Sequence, residues 1–119
     1  MCIRDRYRED EPFGSLFGSM HETGHGTYEQ GRPRDFDFQP AGKANGLGIH
    51  ESQSRLWENQ VGGSREFCEW SLPLWKEFFP DNMEGIGSDQ LWQAVNLVQP
   101  GLIRVDADEA TYNLSLIHI

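Results

Sequence analysis

The apolar residues that follow position 12 recur with the period of an α-helix. Between residues 13 and 30 they lie three or four positions apart and would form one face, made of Phe13, Leu16, Phe17 and Met20. Glycine disfavours a helix interior unless a neighbouring element must pack closely against it. We therefore predict a helix from Phe13 to Gln30, in which the glycines at positions 18, 24 and 26 are unfavourable unless close packing requires them.

Residues 31–45 show no periodicity and contain two prolines and two glycines, which predicts a loop. Its two phenylalanines, Phe36 and Phe38, are expected to tether it to the helices. Apolar periodicity then resumes and predicts a second helix from about Leu47 to Asn59, because the Gly62-Gly63 pair would end it.

A third, aromatic-rich helix is predicted to begin after Ser64, whose hydroxyl can cap its first turn. It should run through Phe79, with a kink at Pro73 and a stop at Pro80, because proline cannot donate the hydrogen bond that a helix interior requires. The large aromatic side chains on helical faces are more often core than surface, so we expect four core tryptophans: Trp57, Trp70, Trp75 and Trp92.

A fourth helix, capped by Ser88 or Asp89, is expected to run through Val98. After the Pro-Gly turn at positions 100 and 101, the short apolar stretch Leu102–Val105 is typical of a strand. Four helices and a single short strand predict a mainly α fold.

The two ends of the chain encode each other when they are back-translated. One codon choice for residues 114–119, CTG TCT CTT ATA CAC ATC, has a reverse complement that reads Met-Cys-Ile-Arg-Asp, residues 1–5, when it is started one base along. Such inverted ends resemble the transposon mosaic end used in library preparation. We therefore expect residues 1–5 and 114–119 to be adapter-derived scars. The alternative is a genuine Met start with an apolar tail.

Composition limits the chain to one small domain at most. Its 119 residues are 37% hydrophobic, which allows only a modest core. Ten basic against nineteen acidic side chains give a net charge of −9, which argues against binding to nucleic acid or to anionic membranes. No apolar run reaches the length of a membrane span. Setting Cys2 aside leaves Cys68 alone, so no disulfide framework exists and a reducing, cytoplasmic compartment is expected.

Candidate chemistry lies in the segment Ser19–Gly31, which contains His-Glu-x-x-His. His21 and His25 are four residues apart, so both imidazoles would project from one helix face and could hold a tetrahedral metal ion from one side. Glu22 is displaced by one position, which would put its carboxylate beside the ion, where it could take a proton from bound water. The spacing therefore predicts a zinc site with Glu22 as general base.

A third protein ligand must come from elsewhere. Glu29 shares the face of the histidines but lies about 12 Å from His21 along the helix axis, too far to reach the ion. Glu51, on the second predicted helix, could complete a His, His, Glu site with one position open to water. Two alternatives stay open: Glu51 pairs with Arg55 on the helix surface, or His50 exchanges roles with it. Otherwise His50 is predicted to contact the ligands from behind or to contact substrate.

Four stretches, HETGHGTYEQG, GIHESQSRLWEN, VGGS and LIRVDADEATYNL, occur in this order. Together they resemble the carboxypeptidase Taq family of metallocarboxypeptidases over nearly all of residues 6–114. The resemblance implies a mostly helical, elongated fold with a deep groove, commonly in a homodimer. It also implies one zinc or cobalt ion per chain, held by His21, His25 and Glu51, with Glu22 as general base. The implied substrates are peptides with a free C-terminus, which lose single C-terminal residues.

A carboxypeptidase also needs a cation for the free carboxylate of its substrate, and Arg104 is our candidate. Tyr112 could donate a hydrogen bond to the developing oxyanion. The alternatives are that Arg104 pairs with a nearby aspartate, Asp106 or Asp108, and that Tyr112 is a packed aromatic residue.

Some features of the resembling family are missing from the chain. Gly63 stands where the family usually has a basic residue, and the family's His-Pro-Phe, Asp-x-Arg-x-Thr and Gly-x-x-Gln-Asp-x-His-Trp motifs are absent. We therefore expect residues 6–113 to be a metal-binding catalytic-core fragment of one peptidase domain. The rival interpretations are a metalloendopeptidase or aminopeptidase of the His-His-Glu type, and a non-catalytic helical fragment with a vestigial histidine pair.

Overall fold

The computed structural model describes residues 12–98, which form helices joined by turns. Two short 3-10 turns, Arg34–Phe36 and Pro40–Gly42, lie in the first long connection, and a π-helical turn, Leu56–Val61, continues the second helix. No strand occurs among residues 12–98, and the predicted mainly α fold is confirmed. The α-helices of the described residues are α1 (Pro12–Gln30), α2 (Leu47–Arg55), α3 (Arg65–Phe78) and α4 (Ser88–Val95).

Several predictions concern residues outside the described range. These are the strand Leu102–Val105, the substrate-binding candidates Arg104 and Tyr112, and the two proposed scars at residues 1–5 and 114–119. Within residues 12–98, no helix has both the length and the apolar content needed to cross a lipid bilayer.

The predicted N-cap of the third helix is confirmed, whereas that of the fourth is wrong. The Ser64 hydroxyl accepts the backbone N–H of Phe67 at 3.1 Å. The N-cap of α4 is Gly87, one residue before the predicted caps, and its N–H donates to the side-chain oxygen of Gln90 at 2.9 Å. Asp89 instead pairs with Arg65 on α3. The fourth helix also ends at Val95 rather than at Val98.

The loop before α2 is held by polar contacts rather than by its phenylalanines. Phe36 is 44% exposed and Phe38 is fully exposed, so the prediction that they tether the loop is wrong. The guanidinium of Arg32 donates to the backbone carbonyl of Gly42 at 2.7 Å. The backbone N–H of Asn45 donates to the Tyr28 hydroxyl at 3.0 Å, which ties the end of the loop to α1.

The buried apolar residues lie in and around the α3–α4 pair. Cys68, Met83 and Leu91 form the buried cluster, and Trp75 and Trp92 pack partly buried against it. The other two tryptophans differ from the prediction, since Trp57 is 36% and Trp70 is 66% exposed. Trp70 belongs to an apolar groove between the first half of α1 and α3, whose lining includes three exposed side chains of α3: Trp70, Leu74 and Phe78.

The approach of α1 to α2 depends on Gly24. A Cβ atom at this position would lie 2.5 Å from the Ser54 Cα and 2.7 Å from the Gln53 carbonyl oxygen, both of them backbone atoms. Gly24 stands between His21 and His25, and Ser54 lies one helical turn after Glu51. The contact that excludes a side chain at Gly24 therefore brings the histidine helix against the glutamate helix.

Substitution of Gly24 by alanine is expected to destabilise the chain. The clash is with backbone, so the helices must separate, and overpacking of this kind costs about 1–3 kcal/mol, which exceeds the gain of about 1 kcal/mol in helix propensity. Gly26→Ala, on the same helix and with nothing within 4 Å of its added Cβ, is the matched control and should be neutral or stabilising. Thermal unfolding followed by circular dichroism measures both, and equal melting temperatures for the two variants would contradict the packing argument.

Candidate metal centre

Three side chains from α1 and α2 bring their donor atoms together. The Nε2 atoms of His21 and His25 are 3.0 Å apart. The Oε2 atom of Glu51 lies 3.7 Å from the first and 3.4 Å from the second. All three side chains are half-buried, and they are the group among residues 12–98 that could hold a metal ion. The two histidines and the glutamate predicted from the sequence are thus adjacent in space.

The tautomer of His21 follows from the contact at Nδ1, the ring nitrogen that does not face His25 and Glu51. Its Nδ1 atom lies 2.7 Å from the Oε2 atom of Glu58. An ionised carboxylate can only accept hydrogen bonds, so the His21 Nδ1 atom carries the hydrogen and donates it. The Nε2 atom of a neutral His21 therefore presents a lone pair towards His25 and Glu51.

The contacts behind His25 lead to the same tautomer through one more residue. His25 Nδ1 lies 2.5 Å from His50 Nδ1, and His50 Nε2 lies 2.9 Å from the Oε1 atom of Glu29. Glu29 accepts from the Nε2–H of His50, which leaves the His50 Nδ1 lone pair to accept from His25. His50 thus contacts the Nδ1 side of His25 and is not one of the three donors. The ring of Tyr28 packs against the His50 ring, with the two ring centroids 4.7 Å apart.

This donor set fits a small divalent cation. With both tautomers assigned, two nitrogen lone pairs and one carboxylate oxygen face a common space without a hydrogen between them, an arrangement that is repulsive unless a cation lies there. Zinc ligand distances in a tetrahedral site correspond to donor separations of about 3.3–3.5 Å. The observed separations of 3.0, 3.4 and 3.7 Å lie around that range.

The two carboxylate oxygens of Glu51 face different partners. Its Oε1 atom accepts from Nε of Arg55 at 3.2 Å, whereas its Oε2 atom faces the histidines. The buried Ser54 hydroxyl lies 3.1 Å from the same Oε2 atom. The ion pair on the helix and the donor role are therefore compatible, because each uses a different oxygen.

Burial and neighbouring charges favour the neutral form of the His25 imidazole. Burial lowers its pKa below the ordinary value of 6.5, and the neighbouring imidazoles of His21 and His50 lower it further. The carboxylates of Glu51 and Glu22 oppose this shift without reversing it. A metal ligand must be unprotonated, so the lowered pKa favours the form of His25 that can bind an ion.

Glu22 lies outside the group of donor atoms. Its side chain is exposed to solvent, one position along α1 from His21, and its charge acts on His25. Glu22, the proposed base, is thus not one of the three donors, as its position one residue after His21 on the helix predicts.

The carboxylates behind the two histidines, those of Glu58 and Glu29, were not predicted from the sequence in this role. Glu58 follows Glu51 by seven residues, two helical turns, so a search for acids on that face would have found it. Glu29 follows His25 by four residues and was considered only as a ligand, whereas it contacts His50.

Comparison with known proteins relates the chain to one family. The model of the family described as carboxypeptidase Taq (M32) metallopeptidase matches residues 1–119. The chain is 47% identical over 115 residues to thermostable carboxypeptidase 1 of Thermus thermophilus, an alignment that covers 97% of this chain and 22% of that protein. It is 38% identical to thermostable carboxypeptidase 1 of Pyrococcus furiosus, covering 97% of this chain and 23% of that protein.

Solved structures agree with the sequence comparisons. Metallocarboxypeptidase 1 of Trypanosoma cruzi superposes with a TM-score of 0.79 at 43% identity, covering 92% of this chain and 22% of that one. A structure described as "The Structure of CHT" superposes with a TM-score of 0.82 at 42% identity, covering 94% and 23% of the two chains. The chain spans about a fifth of the length of the curated relatives that it matches.

The helical fold and the family match together define the class of the chain, a helical metallopeptidase. Within that class, the chain belongs to the carboxypeptidase Taq (M32) family, and the resemblance inferred from its sequence is confirmed.

Proposed function

We propose that this chain carries the catalytic metal centre of a metallocarboxypeptidase, which hydrolyses the C-terminal peptide bond of its substrates. The observation that supports the proposal most directly is the convergence of three hydrogen-free donor atoms from His21, His25 and Glu51. Membership of the M32 family supplies the reaction class.

In this proposal the three donors hold one zinc ion per chain, with cobalt as the alternative metal. A bound ion supplies Lewis-acid polarisation of the scissile carbonyl and lowers the pKa of water towards neutrality. Neutral imidazoles contribute no charge and Glu51 contributes one negative charge, so with a divalent ion bound the centre would keep a net positive charge that could attract a carbonyl oxygen.

Glu22 carries the proton through the reaction. As the oxygen of a water molecule adds to the scissile carbonyl carbon, a proton passes from that water to the Glu22 carboxylate. The carbon–nitrogen bond then breaks, and Glu22 returns the proton to the leaving amine. Its solvent-exposed position leaves it accessible to water and substrate, and it is unchanged at the end of the cycle.

The partners follow from the same proposal. The substrate is a peptide with a free C-terminus, whose carboxylate Arg104 would bind and whose developing oxyanion Tyr112 would stabilise. His50 acts behind His25 rather than on substrate. The complete protein is proposed to be a cytoplasmic homodimer that binds neither nucleic acid nor membrane, and the free, buried Cys68 fits a reducing compartment.

Amidation of the substrate separates a carboxypeptidase from an endopeptidase. Because the chain spans about a fifth of its relatives, the enzyme to use is a chimera in which it replaces the matching segment of the Thermus thermophilus carboxypeptidase. We expect the chimera to release the last residue of a peptide with a free carboxylate and to leave the amidated peptide intact. The unmodified host is the positive control. Equal cleavage of the two peptides would favour an endopeptidase and contradict the proposal.

A further inference from the structure

The two histidines are held from behind in different ways. His21 donates directly to a carboxylate, that of Glu58, at 2.7 Å. His25 reaches a carboxylate only through the neutral ring of His50. The Glu29 side chain at the end of that path is 44% exposed, whereas the Glu58 side chain is 25% exposed. The constraint on His21 is thus the shorter and the better protected of the two.

A buried cation joins the Glu58 carboxylate to the Glu51 carboxylate. Arg55 is 9% exposed, and its Nε atom donates to Glu51 Oε1 while its NH1 atom donates to Glu58 Oε2, each at 3.2 Å. The same NH1 atom also lies 3.3 Å from the side-chain oxygen of Asn59. One guanidinium therefore fixes the donor glutamate and the acid behind His21 relative to each other.

The helix changes its geometry where Glu58 occurs. The α-helical part of the segment ends at Arg55, and the π-helical turn begins at Leu56, so Glu58 lies in the first part of the wider turn. Turns of this kind are uncommon and often occur at functional sites. Here the π turn contacts α1, the helix that carries His21.

We propose that Glu58 is a positioning residue of the metal centre, anchored by Arg55. It fixes the His21 ring in the tautomer and orientation that direct Nε2 towards His25 and Glu51, and it raises the basicity of that nitrogen. The inference rests on the proposed function, since it assumes that the three donors bind a metal ion.

Zinc affinity of the chain tests this role. Loss of an outer partner of a metal-bound histidine typically weakens metal binding by about 10- to 100-fold, and we expect this loss for Glu58→Ala. Glu58→Gln should lose less, because its amide oxygen can still accept the hydrogen of His21. The matched control is Glu66→Ala, at an exposed position on α3, which should bind zinc like the unmodified chain. Competition with a chromophoric chelator gives the dissociation constants.

A purely structural role of Glu58 would give a different result. The melting temperature of each metal-free variant reports on the fold, and the visible spectrum of the cobalt-loaded chain reports on the ligand field at His21. We expect Glu58→Ala to change the cobalt spectrum, and Glu66→Ala to leave it unchanged. If Glu58→Ala lowers only the melting temperature and keeps both the zinc affinity and the cobalt spectrum, the positioning role is overturned.

One further variant separates failure of this inference from failure of the proposed function. Glu51→Gln removes a donor rather than its support. If Glu51→Gln weakens zinc binding and Glu58→Ala does not, the positioning role fails while the metal centre stands. If neither variant weakens it, the metal centre itself is contradicted, and the inference with it.

Discussion

Replacement of Glu51 by glutamine removes tight zinc binding from the chain. The neutral amide loses the negative charge that offsets the cation, and its oxygen is a weaker ligand than a carboxylate. Since loss of an outer partner alone costs about 10- to 100-fold in affinity, loss of a ligand should cost more than about 100-fold. Isothermal titration calorimetry, with zinc titrated into the metal-free chain, measures the dissociation constant directly.

Glutamine is chosen because Glu51 also has a structural partner. Its Oε1 atom accepts from the buried Arg55, and an amide oxygen can keep that hydrogen bond. Glu66→Gln, at an exposed position, makes the same chemical change away from the site and serves as the control. Zinc binding by Glu51→Gln at the affinity of the control would show that Glu51 is only a partner of Arg55.

Replacement of Glu22 by glutamine stops catalysis without removing the metal. General acid–base groups typically contribute about 10²- to 10⁴-fold to a rate, so kcat of the chimera should fall by a factor in that range. Zinc content should not change, because Glu22 is exposed and is not one of the three donors. The measurements are kcat on a peptide with a free carboxylate and metal content by atomic absorption.

The combination of results distinguishes a base from a ligand. Glu84→Gln, at an exposed position between α3 and α4, is the control for loss of one carboxylate and should leave kcat unchanged. Loss of zinc from Glu22→Gln would assign Glu22 to the ligand set, and full activity with zinc bound would exclude it as the base.

Local signals were sufficient to predict α1 and the start of α3. Apolar periodicity located α1 to within one residue, because the Phe13, Leu16 and Phe17 side chains repeat along a single face. Ser64 identified the start of α3, since a hydroxyl at that position satisfies a backbone N–H that the helix leaves free. Both features depend only on residues that are close together in the chain, which is why they can be predicted from the sequence.

Features that depend on packing could not be predicted in the same way. The π-helical turn at Leu56–Val61 was expected to be ordinary helix up to Asn59, since residue preferences do not distinguish the two hydrogen-bond patterns. The loop aromatics Phe36 and Phe38 were expected to tether the loop, but both are exposed. Apolar character alone does not determine which surface a loop side chain meets.

The candidate site shows the same division. The His21–His25 pair follows from helical spacing, and Glu51 follows from the need for a third ligand on an adjacent helix. The path from His25 through His50 to Glu29 requires the exact distance between α1 and α2, which Gly24 sets by its contact with Ser54. Sequence spacing predicts which residues share a face but not which atoms meet across two faces.

The location of a bound zinc ion tests the central claim most directly. Crystals of the chain or of the chimera grown with zinc, with anomalous diffraction recorded at the zinc absorption edge, would locate the ion without reference to activity. We predict one ion bound by Nε2 of His21, Nε2 of His25 and Oε2 of Glu51, at distances of about 2.0–2.2 Å. An ion bound elsewhere, or one that contacts the histidines without Glu51, would contradict the account.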